Sequence, residues 1–207
     1  MEDALNLMDG NDVAAAKAEA IHQSALEALE RKDFEAAREG FEKALAAFAA
    51  IGDEIGMAMT SHNLGLTSQE AGDLAEARQW LEKSLAVSER EGLDGGMIVT
   101  CHQLGVVAQL AEEYPAAREW FERALELEEK NANAGGEAMT CHQLGIVAAL
   151  SGDNADAKSW YERAIAVFER LGEEDNAART RKLLDFITNF ESQGSHEGHE
   201  GPCGKLQ

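Results

Sequence analysis

A chain of 207 residues, 44% of them hydrophobic, is long enough to bury a core and allows one or two domains. Eighteen Lys and Arg against 39 Asp and Glu leave a formal charge of -21, which repels nucleic acid and anionic membrane and favours a neutral or basic partner. Three cysteines make no disulfide framework, the N-terminus lacks a secretory signal, and no stretch approaches the ~18 apolar residues of a membrane span, so a soluble, cytoplasmic protein is expected.

Residues 1–11 read as an N-terminal extension, after which Asn11 or Asp12 can cap a long first helix from Ala14 to Arg31. From there the rare residues recur at a fixed spacing of 40: His22, His62, His102 and His142; Thr60, Thr100, Thr140 and Thr180; Trp80, Trp120 and Trp160. Cutting at the threonines gives gapless blocks 21–60, 61–100, 101–140 and 141–180. Each carries two apolar stripes at helical spacing, such as Leu104, Val107 and Ala108 followed by Ala117, Phe121 and Ala124. The stripes are separated by Lys32-Asp33, Gly72-Asp73, Glu112-Glu113 and Gly152-Asp153, where Gly ends one helix and Asp caps the next. Gly52-Asp53, Gly92 to Gly96, Asn131 to Gly136 and Gly172 read as loops between blocks. Over 175–191, Leu183, Phe186, Ile187 and Phe190 share one face of a capping helix, and 192–207 is a polar, Gly-rich tail expected to be disordered.

Leu104-Gly105, Ala117, Phe121 and Ala124, with Leu144-Gly145, Ala157, Tyr161 and Ala164, resemble the signature of tetratricopeptide repeats. The second block keeps Leu64-Gly65 and Ala77 but has Leu81 and Ser84, and the first has Ser24-Ala25 in place of Leu-Gly. The period exceeds the family's usual 34 residues, and Ala49, Glu89, Glu129 and Glu169 stand where the family has proline. Both departures are similar to the forty-residue subclass of kinesin light chains and spindle-orientation adaptors. The resemblance implies an all-α, right-handed superhelical solenoid of four helix-turn-helix repeats over 12–191, closed by the capping helix. It also implies a scaffold or adaptor that binds an extended peptide in a concave groove.

The family's groove positions map onto His22-Gln23, His62-Asn63, His102-Gln103 and His142-Gln143, with Leu26, Leu66, Val106 and Ile146 one turn on. A ladder of amides can pair with a peptide backbone without reading its side chains. Repeats duplicated recently also share surface residues by descent, and that reading stays open. Replacing Asn63 and Gln103 with Ala is expected to spare folding, and histidine protonation near pH ~6.5 to weaken binding of a basic segment. Glu19, Glu30 and Glu70 make one end of the face acidic, and Arg179, Arg181 and Lys182 make the other basic.

Cys101 and Cys141 occupy a bulky core position and are expected to be buried thiols, and the tryptophans to pack between repeats. Arg38, Arg78, Arg118 and Lys158 stand four residues before Glu42, Glu82, Glu122 and Glu162, as solvated helix pairs do. The tail's His196, His199 and Cys203 leave a second reading open, a metal-handling accessory protein whose tail binds an ion, beside that of an incidental polar tail. No P-loop, dinucleotide fingerprint or nucleophile elbow is present, so no enzyme and no cofactor are expected.

Overall fold

A computed structural model describes residues 10–194. Every regular element among them is an α-helix: α1 Gly10–Glu30, α2 Phe34–Ile51, α3 Glu54–Glu70, α4 Leu74–Glu91, α5 Asp94–Leu110, α6 Tyr114–Lys130, α7 Ala134–Leu150, α8 Asn154–Leu171 and α9 Glu174–Gly194. This is the all-α tandem repeat of helix pairs that the register predicts. No described helix is long and apolar enough to cross a membrane.

Short polar connections set the register. Asp33, Asp73 and Asp153 cap α2, α4 and α8, each accepting a hydrogen bond from the backbone N–H three residues on. Asp53 and Asn133 do the same for α3 and α7. The residue before each of these caps, Lys32, Gly52, Gly72, Ala132 or Gly152, has positive φ, the left-handed stop that closes a helix. The loops expected at Gly92 to Gly96 and Asn131 to Gly136 are therefore much shorter, because Asp94 and Ala134 already begin helices. The threonine cuts fall inside α3, α5, α7 and α9, so the structural repeat is the pair α1/α2, α3/α4, α5/α6 or α7/α8.

Helix pairs close on one small residue facing one large one. A Cβ on Gly105 would lie 2.7 Å from the Phe121 ring, and one on Gly65 2.7 Å from Leu81. The first repeat reverses the arrangement: Ala25 replaces that glycine, and Gly40 gives way where later repeats have tryptophan, since a Cβ there would lie 2.7 Å from that of Ala25. Ala37, Ala77, Ala117 and Ala157 are completely buried beside these contacts.

The chain divides inside α6 into two compact units, Met1–Leu127 and Glu128–Gln207, so the single array expected from the register is described as two bodies. In the first, Trp80 packs on a cluster that joins Ala25 and Phe41 of the preceding repeat to Leu64 of its own, and Trp120 on one that joins Ala77 and Leu81 to Leu104. In the second, Tyr161, Ala157 and Ile187 form the core with Trp160 against it. The terminal helix, expected over 175–191, runs from Glu174 to Gly194. Its buried stripe is Ala177, Thr180 and Ile187 with Leu184 beside them. Leu183 and Phe186 lie off that stripe and are 36% and 70% exposed, against the expectation that they pack inward. Residues 1–9 of the N-terminal extension, and the tail from Ser195 onward, lie outside the described residues.

Gly105→Ala should lower stability by about 1–3 kcal/mol, because overpacking against Phe121 exceeds the ~1 kcal/mol gain in helix propensity. Gly135, with nothing closer than 4.0 Å, should tolerate Ala without loss. Thermal unfolding of the two variants checks the contrast, and equal melting temperatures would contradict it.

Candidate functional site

The recurring histidines and threonines meet across neighbouring repeats. His22 Nδ1 lies 2.9 Å from Thr60 Oγ1, His62 Nδ1 3.3 Å from Thr100 Oγ1, and His142 Nδ1 2.9 Å from Thr180 Oγ1. Thr60 and Thr180 spend their own hydroxyl protons on the carbonyls of Gly56 and Asn176, one turn back. Their oxygens can then only accept, so the imidazole must carry its proton on Nδ1 and leave Nε2 as an acceptor. Asn63 Nδ2 donates to that second nitrogen of His22 at 3.1 Å, completing a relay from Asn63 through His22 and Thr60 to the backbone of α3. The rings are also wedged edge-on or tilted against core aromatics, His22 on Phe41 at 5.2 Å, His102 on Phe121 at 5.2 Å and His142 on Tyr161 at 6.0 Å.

Burial lowers all four histidines below their ordinary 6.5. The expectation that protonation acts near pH 6.5 is therefore corrected: the transition lies lower. A depressed folded-state value means that the stabilisation is complete above pH ~6.5 and is lost as pH falls through the folded-state values.

The amides are half-buried in α3, α5 and α7 and exposed in α1. Asn63 is tied to His22, and Gln103 Nε2 donates to Gln69 Oε1. The ladder is thus partly engaged within the protein, and replacing Asn63 removes a framework contact that the sequence alone does not reveal. Leu26, Leu66, Val106 and Ile146 are half-buried beside it. The most accessible apolar residues of this face are ones that the sequence reading misses: Ile55, Met59, Val99 and Met139 are 54%, 55%, 54% and 44% exposed. A signal for them exists, since Met59, Val99 and Met139 share one register position with Glu19 and Arg179. In the first unit, Ile55, Met59 and Val99 border a cleft of about 470 Å³ between α3, α4 and α5.

Several charges behave differently from expectation. Arg38 reaches Glu76 at 2.7 Å and Arg78 reaches Glu113, both in the next repeat, while Arg118 keeps the Glu122 pair at 2.8 Å. The longer reach joins helices rather than decorating one. Cys101 and Cys141 are fully buried free thiols, pushed up to about 11 and about 12 by burial, which leaves them protonated and inert at neutral pH. Among the described residues no group of three His, Cys, Asp or Glu could hold a metal ion. His196, His199 and Cys203 lie outside those residues.

The register position of Phe48 and Phe168 holds Ser88 and Glu128 in the middle repeats. Glu128 is 3% exposed, and burial pushes its carboxyl up to about 7.

Helix pairs repeating at a fixed interval, each closed by a small residue against a large one, define a tandem helical-repeat protein with a candidate binding face on its first helices. The profile of the tetratricopeptide repeat matches residues 17–90 and 96–170, and the chain belongs to that family. No curated protein matches the chain. Among solved structures it is similar to the apo form of RapI, with a TM-score of 0.79 and 16% identity over 88% of this chain and 50% of that one. A kinesin light chain of Podosopora anserina with nearly identical TPR-like repeats gives a TM-score of 0.67 and 17% identity over 90% of this chain and 99% of that one. The Rap conjugation gene regulator of plasmid pLS20, in complex with the Phr* peptide, gives 0.70 and 19% over 87% and 48%. The chain spans about half the length of the two Rap proteins.

Two outcomes test the framework. Thr60→Val leaves the His22 N–H without its acceptor and should cost about 1–3 kcal/mol at pH 7.5 in urea unfolding; an unchanged midpoint would contradict the relay. Glu128→Gln should stabilise the protein by on the order of 2 kcal/mol above pH 7, where the wild type buries a charge. That gain should shrink as pH falls from about 7 and vanish below 4.5, where the unfolded state takes up the proton as well, and a gain independent of pH would contradict the buried carboxyl.

Proposed function

We propose that the chain is a non-catalytic protein-interaction scaffold that holds an extended segment of a partner along the first helices of its repeats. The observation that carries this reading is the row of half-exposed apolar side chains Ile55, Met59 and Val99 in the first unit, set beside the polar Asn63 and Gln103. A folded chain otherwise keeps such residues from clustering on one accessible face. In the first unit the contacting set is Gln23, Leu26, His62, Asn63, Leu66, His102, Gln103 and Val106, with His22 buried behind it as framework. His142, Gln143 and Ile146 form the corresponding face of the second. The net charge of -21 favours a neutral or basic segment, and two protonated thiols suit a reducing, cytoplasmic setting. Peptide capture by the pLS20 Rap regulator, a structural neighbour, supports the same use of the fold.

The test is affinity capture followed by measured binding of the recovered partner. Met59→Glu and Val99→Glu should weaken it at least tenfold, because each places a charge in an apolar contact, whereas Lys43→Glu, on an exposed side chain of α2, should not. Undiminished affinity in both face variants would reject the proposed surface.

A further inference from the structure

Four departures from the repeat converge on the cleft of the first unit. Ser88 stands where the first and fourth repeats have Phe48 and Phe168, Ser84 where the others have alanine, Gly95 where α3 has Ile55, and Leu93 where Asp53 and Asn133 cap their helices. The counterpart cleft one repeat earlier is lined by Phe48 and Ile55. The later cleft has a hydroxyl in place of that phenyl ring and a hydrogen in place of that aliphatic chain, and its volume is about 470 Å³ against about 400 Å³ for the earlier one, within the ~300–1,000 Å³ range of ligand pockets.

A buried hydroxyl without a partner and an uncapped helix turn meet where these changes converge. Ser88 is 1% exposed, and its hydroxyl has no hydrogen-bond partner among the described residues. Gly56 N–H donates to Asp53 and Gly136 N–H to Asn133, but Leu93 supplies no side-chain cap to α5. The Ser88 oxygen lies beside that uncapped turn, 2.7 Å from where a Cβ on Gly96 would be. Ser84 does not compete for either group, since it donates to the Ala58 carbonyl at 2.9 Å. The walls above are Ile55, Met59, Leu93 and Val99, and no Asp, Glu, Lys or Arg lines the cleft, so it suits an uncharged ligand.

We propose that this cleft binds the side chain of a tyrosine from the partner segment, the ring occupying the space that Phe48 fills one repeat earlier and the phenolic oxygen meeting Ser88 and the Gly96 N–H. The assignment rests on the interaction face proposed above. A staggered change of the serine rotamer turns its hydroxyl toward the ring's tip. The phenol accepts from Gly96 in the uncapped turn and exchanges a hydrogen bond with Ser88, giving the buried hydroxyl its partner, which a phenylalanine cannot do.

The probe is p-cresol, titrated into the full chain and followed by amide NMR, with toluene as the comparison. Shifts should centre on Ser88, Gly95, Gly96 and Val99, and p-cresol should bind roughly five- to tenfold tighter than toluene. Ser88→Ala should erase that preference without altering toluene binding, and Ser88→Phe, which restores the residue of the first repeat, should exclude both probes while the protein stays folded. Shifts elsewhere, equal binding of the two probes to the wild type, or a preference that survives Ser88→Ala would overturn the tyrosine assignment. Partner capture lost in Met59→Glu but kept in Ser88→Phe would overturn it alone, whereas capture kept in both would reject the face as well.

Discussion

The histidine–threonine bridge is the constraint on which the rest of the first-helix face depends. A neutral imidazole buried between two repeats needs one acceptor and one donor, and any vacancy costs about 1–3 kcal/mol. Thr60 and Asn63 fill both roles for His22, Thr180 supplies the acceptor for His142, and Thr100 pairs with His62. Because Thr60 and Thr180 are themselves held by the carbonyl one turn back, the direction of the protons in those two bridges follows. Repeats joined this way share a polar register as well as an apolar one, and that register fixes which side chains of the next first helix turn outward.

Outward of the bridge the repeats differ. Copying preserved the groups that seal the layers, such as Gly65, Gly105 and Gly145 with their large partners, whereas the position of Phe48 became Ser88 and then Glu128. Where a core position turns polar without a partner, stability is given up locally, and such conflicts mark sites where something else is gained. The two outcomes are unlike: Ser88 borders an open cleft, while Glu128 crowds against Gly136 in the second unit and keeps its proton to higher pH.

The helices, their pairing and their caps are legible because each depends on neighbours in sequence: an apolar residue every third or fourth place, an Asp before a helix, a residue able to take positive φ after one. Both halves of the bridge are visible as separate periods of forty, but a hydrogen bond between residues 38 apart depends on how two repeats stack. Gly95 and Gly96 read as a loop because glycine usually breaks helices, and here close packing of Gly96 on Ser88 overrides propensity. Helical spacing pairs Arg38 and Arg78 with the nearest glutamate along the helix, whereas their long side chains reach Glu76 and Glu113 across the repeat boundary. Periodicity assigns Phe186 to the buried face, but it cannot tell which side of a terminal helix has a neighbour.

The face thus combines a fixed polar framework with accessible apolar side chains, and its chemistry depends on the histidines being neutral. Their tautomers can be read directly by long-range ¹H–¹⁵N correlation in the uniformly labelled protein. A protonated Nδ1 and a bare Nε2 in His22 and His142, persisting to a titration midpoint below 6.5, is the result the account predicts. A proton on Nε2, or a midpoint at or above 6.5, would contradict it.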